Sequence, residues 1–287
     1  MMRRGGRKLA VGVVALAALM GAGVALGQFF GGGRGRGRRF VPVTEDRKGV
    51  PDWPVDPRFK NDVFTFARVE YTSVGGRGGW DRWRTDFPDS DLNFSFRLQQ
   101  LTSLKVNPVP VTVKLTDEKL FDYPFLYIIE PGNLEFADDE VIALRKYLDN
   151  GGFLMVDDFW GDHDYENFRR QIRRVIDQEP QELPLDHPIF HIVYPLKQKP
   201  QVPSLQAAQE GKSAGITYEP YHDGDCETVH YKALHDKNGR MVVIICHNTD
   251  LGDGWEREGE DHWYFKEFAE KKAYPMGINI VTYAMTH

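Results

Sequence analysis

Cysteine is scarce, with two in 287 residues, so a dense disulfide scaffold is excluded. The local pattern also keeps Cys226 and Cys246 apart. Asn238-Gly239 signals a two-residue hairpin turn between strands over residues 228–236 and 241–246. That register sets Lys237 opposite Arg240 and Cys246 opposite Tyr231. Cys226 then falls five residues further along, roughly 17 Å away at strand rise. Two separate thiols are expected. Acid is absent from the first 40 residues, which hold eight basic side chains. The remainder carries 28 basic against 42 acidic side chains, a net of −14. Such a body does not present a nucleic-acid-binding surface. Neither a His-Glu-x-x-His helix nor an EF-hand spacing occurs, and no internal repeat is visible.

At the N-terminus, Arg3, Arg4, Arg7 and Lys8 precede an Ala/Val/Leu/Gly-rich stretch over residues 9–24. Ala25-Leu26-Gly27 then resembles a small-residue cleavage site. Residues 1–27 are therefore expected to be an export signal, with an uncleaved anchor as the alternative. This places the chain in the periplasm or outside the cell, touching membrane only through that segment if it is retained. Residues 28–62 are a Gly/Arg-rich linker followed by a Pro-rich extension. Residues 63–287 form the folded domain. Its aromatic content, 13% over the whole chain, supports a substantial core.

The organising stretch of that domain is residues 123–158. Phe125 to Ile129 is an unbroken apolar run, as in a strand covered on both faces. Asp138-Asp139-Glu140 suits a helix N-terminus. Val141, Leu144 and Leu148 recur at helical spacing, and Asn150-Gly151-Gly152 ends the helix. Phe153 to Val156 is a second apolar strand that runs into Asp157-Asp158. One βαβ unit is thus legible. Around it the pattern predicts a strand over 63–72, a helix over 89–101, a strand over 109–115 and a basic helix over 165–177. An extended segment over 183–194 turns at His187-Pro188, and residues 197–214 read as polar loop. Helices are expected over 262–273 and 277–285. The fold class is α/β, a three-layer α/β/α sandwich with a mainly parallel sheet plus a β-hairpin.

In open parallel sheets ligands sit beyond the carboxyl ends of the strands. The groups there are Glu130, Asp157, Asp158, His247 and Asp250, with Asp86 and Trp83 expected at the rim. Carboxylates with a histidine at one edge suit a divalent cation such as Mg²⁺, Ca²⁺ or Zn²⁺. They also suit general acid–base work where burial separates their pKa values. Loop tryptophans Trp80, Trp83, Trp160 and Trp255 suit sugar stacking or plain packing.

Several segments together are similar to the family of domain of unknown function 4159. They are Phe66-Ala67-Arg68-Val69-Glu70-Tyr71, Trp83-x-Thr85-Asp86, Tyr123-Pro124-Phe125-Leu126-Tyr127, Gly151-Gly152-Phe153-Leu154-x-x-Asp157-Asp158, His187-Pro188-Ile189-Phe190, His247-x-x-Asp250-Leu251-Gly252 and Gly277-Ile278-Asn279-Ile280-Val281. The resemblance implies a class I glutamine amidotransferase-like, flavodoxin-like fold and carries no activity with it. The amidotransferase nucleophile would fall at Glu130-Pro131-Gly132, where there is no Cys or Ser, so amidotransfer is not expected. The function read here is a non-catalytic ligand- or protein-binding module of the cell envelope, with no assigned catalytic residue or resident cofactor. Its partner would be an envelope protein or a carbohydrate. The alternative is a metal-dependent hydrolase of a carbohydrate or related envelope substrate, with Asp157 or Asp158 as base or metal ligand.

Overall fold

The computed structural model describes residues 46–59, 62–73 and 81–287. The expected export signal, most of the Gly/Arg linker and Trp80 lie outside the described residues. Seven strands are β1 Ala67–Glu70, β2 Val111–Lys114, β3 Phe125–Ile129, β4 Phe153–Asp157, β5 Gln181–Glu182, β6 His230–His235 and β7 Met241–His247. The helices are α1 Asp89–Leu101, α2 Asp138–Asp149, α3 Gly161–Val175, α4 Leu205–Gly211, α5 Leu251–Glu256, α6 His262–Tyr264 and α7 Tyr274–Thr286. Among the described residues, no helix is long and apolar enough to cross a membrane.

The sheet order is β2-β1-β3-β4-β7-β6-β5. The first five strands in that order are parallel, and β6 and β5 close the edge antiparallel. This is the α/β class with an added hairpin, and the parallel part follows the flavodoxin-like order. The chain reverses direction across the sheet between β1 and β3, so the crevice at their carboxyl ends is the topological switch point.

Alternation along each strand feeds two cores. Phe125, Tyr127, Ile129, Phe153, Met155, Ile244 and Cys246 pack toward α1, α5 and α7. Leu126, Ile128, Leu154, Val156, Val243 and Ile245 pack toward α2 and α3. Both faces of β3 and β4 are therefore dry, which is why their sequences are continuously apolar. In α2, Glu140 reaches back to the Ala137 amide at 2.9 Å. Gly151 adopts φ +103° beyond its end, which a residue with a Cβ resists. Gly152 is needed for a different reason: a Cβ there would lie 2.3 Å from the Tyr147 ring.

The hairpin pairs Tyr231 with Cys246, as its pattern predicted, and both cysteines are free. The loop differs by one residue. Asp236 bonds Arg240 across the turn, and an irregularity beside Leu234 and His235 absorbs the slip. Helix α3 begins at Gly161, four residues before the expected start, because Asn248 Oδ1 accepts the Gly161 amide at 2.9 Å from another strand. Its arginines pair with Asp138, Glu166, Asp177 and Glu179 on a solvated face. Residues 197–214 are not all loop: α4 is capped by Ser204 Oγ and by Asp253, whose Oδ2 accepts the Leu205 amide at 2.5 Å. The extended segment around His187 becomes a 3-10 turn over Pro188–Phe190, where His187 Nδ1 accepts the Ile189 amide at 3.2 Å. The last two expected helices form one continuous run from α6 to α7. Its middle, Phe265–Ala273, is π-wound, and Tyr274 donates to the Ala269 carbonyl five residues back, just before Pro275 removes a donor.

Candidate acidic cleft at the carboxyl edge of the sheet

Each strand end at this edge turns sharply. Glu130 follows β3 at φ +47°, Asp158 follows β4 at +56°, and Asn248 follows β7 at +59°. Asp86, on the loop after β1, stands at +61°. Left-handed backbone at non-glycine residues costs energy and persists only where the surroundings impose it. Here they do. Asp158 N donates to Thr249 O at 3.2 Å, and Asn248 N donates to Phe159 O at 2.9 Å, tying the ends of β4 and β7 together. Tyr71 Oη donates to the carbonyls of Ile129 and Glu130, both at 2.7 Å. The turn after β3 is thus a sharp strand-to-helix turn, and the residue it presents is Glu130.

Glu130 pairs with Arg82 at 2.5 Å. Burial raises its pKa, against the pull of Arg82. Beside it opens a cleft of about 180 Å³, lined by Arg82, Glu130, Asn133, Asp158, Trp160, Asp164, Glu219 and His222 among others. The Asp164 carboxylate lies against Gly132, where a Cβ would meet it at 2.2 Å. One wall is the loop that carries Glu219 and His222. Asn248 pins that loop by donating from Nδ2 to the carbonyls of Asp225 and Thr228, each at 2.8 Å. Glu219 Oε1 accepts the Ser204 amide at 2.8 Å, and its Oε2 lies 3.2 Å from His222 Nε2. The Glu219 contact raises the His222 pKa. Burial pushes Glu219 up, but His222 and Ser204 outweigh it and hold the carboxyl below its ordinary value. His222 stacks on Trp160, whose buried indole N–H has no partner among the described residues.

Beneath the cleft the carboxylates crowd. Asp86, Asp158 and Asp250 bring one oxygen each within 4.8 Å of one another. Asp157, 0% exposed, accepts from the Gly252 amide at 3.0 Å and from Tyr127 Oη at 3.2 Å through Oδ2. Among the described residues its Oδ1 has no partner, and neither does the buried Asp86 Oδ2. A Cβ at Gly252 would meet Asp86 Oδ2 at 2.7 Å, so Asp86 and Asp157 lean on the same backbone. Burial drives every pKa here upward. It is the first cause for Asp86, with Asp253 and Glu256 adding repulsion, and the first for Asp250, with Asp158 and Asp253 adding to it. Burial likewise raises Asp158, helped by Glu130 and Asp86. Asp157 reaches about 7 through burial, despite its hydrogen bonds.

Five of the seven sequence-predicted residues meet at this edge: Asp86, Glu130, Asp157, Asp158 and Asp250. Two do not. His247 points to the opposite face of the sheet, where Nε2 lies 2.9 Å from the Gly161 carbonyl and the ring packs against Phe159, Tyr165 and His230. Burial lowers its pKa to about 4. Trp83 is buried against Phe87 in the α2/α3-side core rather than standing at the rim. His247 misses because alternation along β7 turns its last residue to the other face, and Trp83 because it lies in a short 3-10 turn whose facing no local pattern sets. Arg82, Asp164, Glu219 and His222 also line the cleft, and no local pattern marks them as site residues. Glu219 and His222 come from a segment whose only sequence signal was richness in Asp, His and Tyr.

A family model described as domain of unknown function (DUF4159) matches residues 65–285. No curated protein matches the chain.

Proposed function

For a chain that belongs to the DUF4159 family and receives no activity from that membership, we propose a ligand-binding module acting outside the cytoplasm, its ligand small and rich in hydroxyl groups, such as a sugar unit. The observation that carries this reading is the mixed, incompletely satisfied lining of the cleft. Glu130, Asp158, Asp164 and Glu219 offer acceptors, while Arg82, Asn133 and the unpartnered Trp160 N–H offer donors. A buried polar group without a partner costs about 1–3 kcal/mol, which a ligand hydroxyl recovers. At about 180 Å³ the cleft is smaller than the roughly 300–1,000 Å³ typical of drug-sized sites, so the ligand is small. Export rests on the basic and apolar pattern of residues 1–27, and N-terminal sequencing of the chain recovered from the envelope tests it: a start at Gln28 supports cleavage.

The binding test is calorimetric titration with a panel of neutral and amino monosaccharides. At least one is expected to bind saturably, with affinity about five- to tenfold weaker in Trp160→Phe, as for loss of one hydrogen bond. No saturable binding across the panel, or equal affinity in Trp160→Phe and Glu130→Gln, defeats the reading. One observation favours hydrolysis as a second reading: the buried Glu219 holds His222 as carboxylates hold a general-base imidazole. Turnover of glycosides that disappears in His222→Gln while binding survives would establish it.

A further inference from the structure

We infer that Asp86, Asp158 and Asp250 form a site for one divalent cation, calcium by preference, at the floor of the cleft. Asp158 and Asp250 follow the ends of β4 and β7, Asp86 comes from the loop before α1, and one oxygen of each lies within 4.8 Å of the others. Calcium coordinates oxygen at about 2.3–2.6 Å, so oxygens that share one ion stand at most roughly 4.6–5.2 Å apart, and the trio lies within that span. Magnesium demands near-ideal octahedral geometry and keeps several of its waters, so a site built from protein carboxylates suits calcium better.

A second observation, separate from the convergence, points to an ion. Asp158 is 9% exposed, and its carboxylate makes no hydrogen bond or ion pair among the described residues. Asp157 beside it is 0% exposed, with Oδ1 unpartnered. Asp250 uses only Oδ1, which accepts the Asp253 amide at 2.7 Å. Among the described residues, three nearby arginines are engaged with other carboxylates. Arg68 is held by Asp91, Arg82 by Glu130, and Arg257 by Asp253, Glu256 and Glu260. The same accounting rejects the other convergence of carboxylates, Asp86 with Asp253 and Glu256, because Arg257 already supplies its positive charge. Carboxylates this close cannot all ionise unless something positive sits among them. Because Asp158 also lines the cleft, the ion has a way in.

The inference does not depend on the sugar reading, and the experiment separates them. Full-length protein is stripped with EDTA, dialysed to equilibrium against CaCl₂ or MgCl₂, and analysed for bound metal. One calcium per chain is expected, held at least tenfold more tightly than magnesium. Asp158→Asn and Asp250→Asn should each weaken calcium binding at least tenfold. The asparagine at 250 keeps an oxygen for the Asp253 amide, so circular dichroism and melting should report a folded chain. Asp177→Asn, which removes an exposed carboxylate paired with Arg173 on the solvated face of α3, should bind calcium like the wild type. No bound calcium in the wild type, or unchanged binding in both asparagine variants with their fold intact, overturns the site. Sugar binding that persists in EDTA leaves the ligand reading standing while the cation site falls on its own.

Discussion

Arg68 and Asp91 are as deeply buried as Asp157 and Asp158, yet the two groups are opposite in kind. Arg68 spends its whole guanidinium. Nε donates to Asp91 Oδ2 at 3.0 Å, Nη1 to the carbonyls of Trp83 and Thr85, and Nη2 to Ser90 Oγ and Asp91. Tyr127 and Phe87 lie across its faces. Charge and hydrogen-bonding capacity are both matched, and the pair anchors α1 and the loop before it to β1. The cluster at the ends of β3, β4 and β7 has carboxylates in excess, oxygens without partners, and strained backbone at Asp86, Glu130 and Asp158. Burial alone therefore does not mark a functional group. What marks it is burial left unmatched by the protein's own atoms, because such a group is stable only with a partner from outside.

The sharpest way to break this comparison is Arg68→Met. Removing one partner strands Asp91 in the core, and a loss of about 3–5 kcal/mol is expected by urea unfolding. A loss below about 1 kcal/mol would mean the matched pair is not structural. Next in size is His247, which is buried but neutral. Its pKa of about 4 lies below the unfolded value near 6.5, so the unfolded chain binds the extra proton between these values. The stability it contributes is complete above pH 6.5 and is lost as pH falls toward 4, by up to about 3 kcal/mol. The raised carboxylates act in the opposite direction, since Asp157 with a pKa near 7 favours the fold when protonated. The His247 effect is therefore read as a difference: His247→Phe should lose stability less steeply than wild type from pH 6.5 to 4. Parallel curves would dismiss it. The smallest effect has the opposite sign. In EDTA at pH 8, Asp158→Asn is expected to raise stability by about 1 kcal/mol, because it removes one unmatched charge. A variant that melts earlier than wild type would show that Asp158 is matched after all.

Local chemistry made much of the fold legible. β3 and α1 run over the residues their patterns marked, and α2 and β4 follow theirs within a residue or so. Their signals lie within a dozen residues: apolar runs, helical spacing, charge at the helix start and glycine at its end. The misses share a non-local cause. Helix α3 starts early because Asn248 caps it across 87 residues, and α4 is capped by Asp253 across 48. The cleft follows the same division. That Glu130, Asp157, Asp158 and Asp250 end up at one edge follows from strand ends in a parallel sheet. That His222 and Glu219 join them depends on a loop held by Asn248, which no local pattern announces.

By itself, then, the sequence determined the layered α/β architecture, the central βαβ unit, the hairpin pairing and the collection of carboxylates at one edge, since each rests on periodicity or on a turn within reach of its neighbours. Tertiary structure alone decided which carboxylates converge, that His247 faces away from them, and that Arg68 is spent on Asp91 while Asp158 is left unmatched. Charge balance inside a protein is set by packing between distant segments, and the order of residues along the chain does not record it.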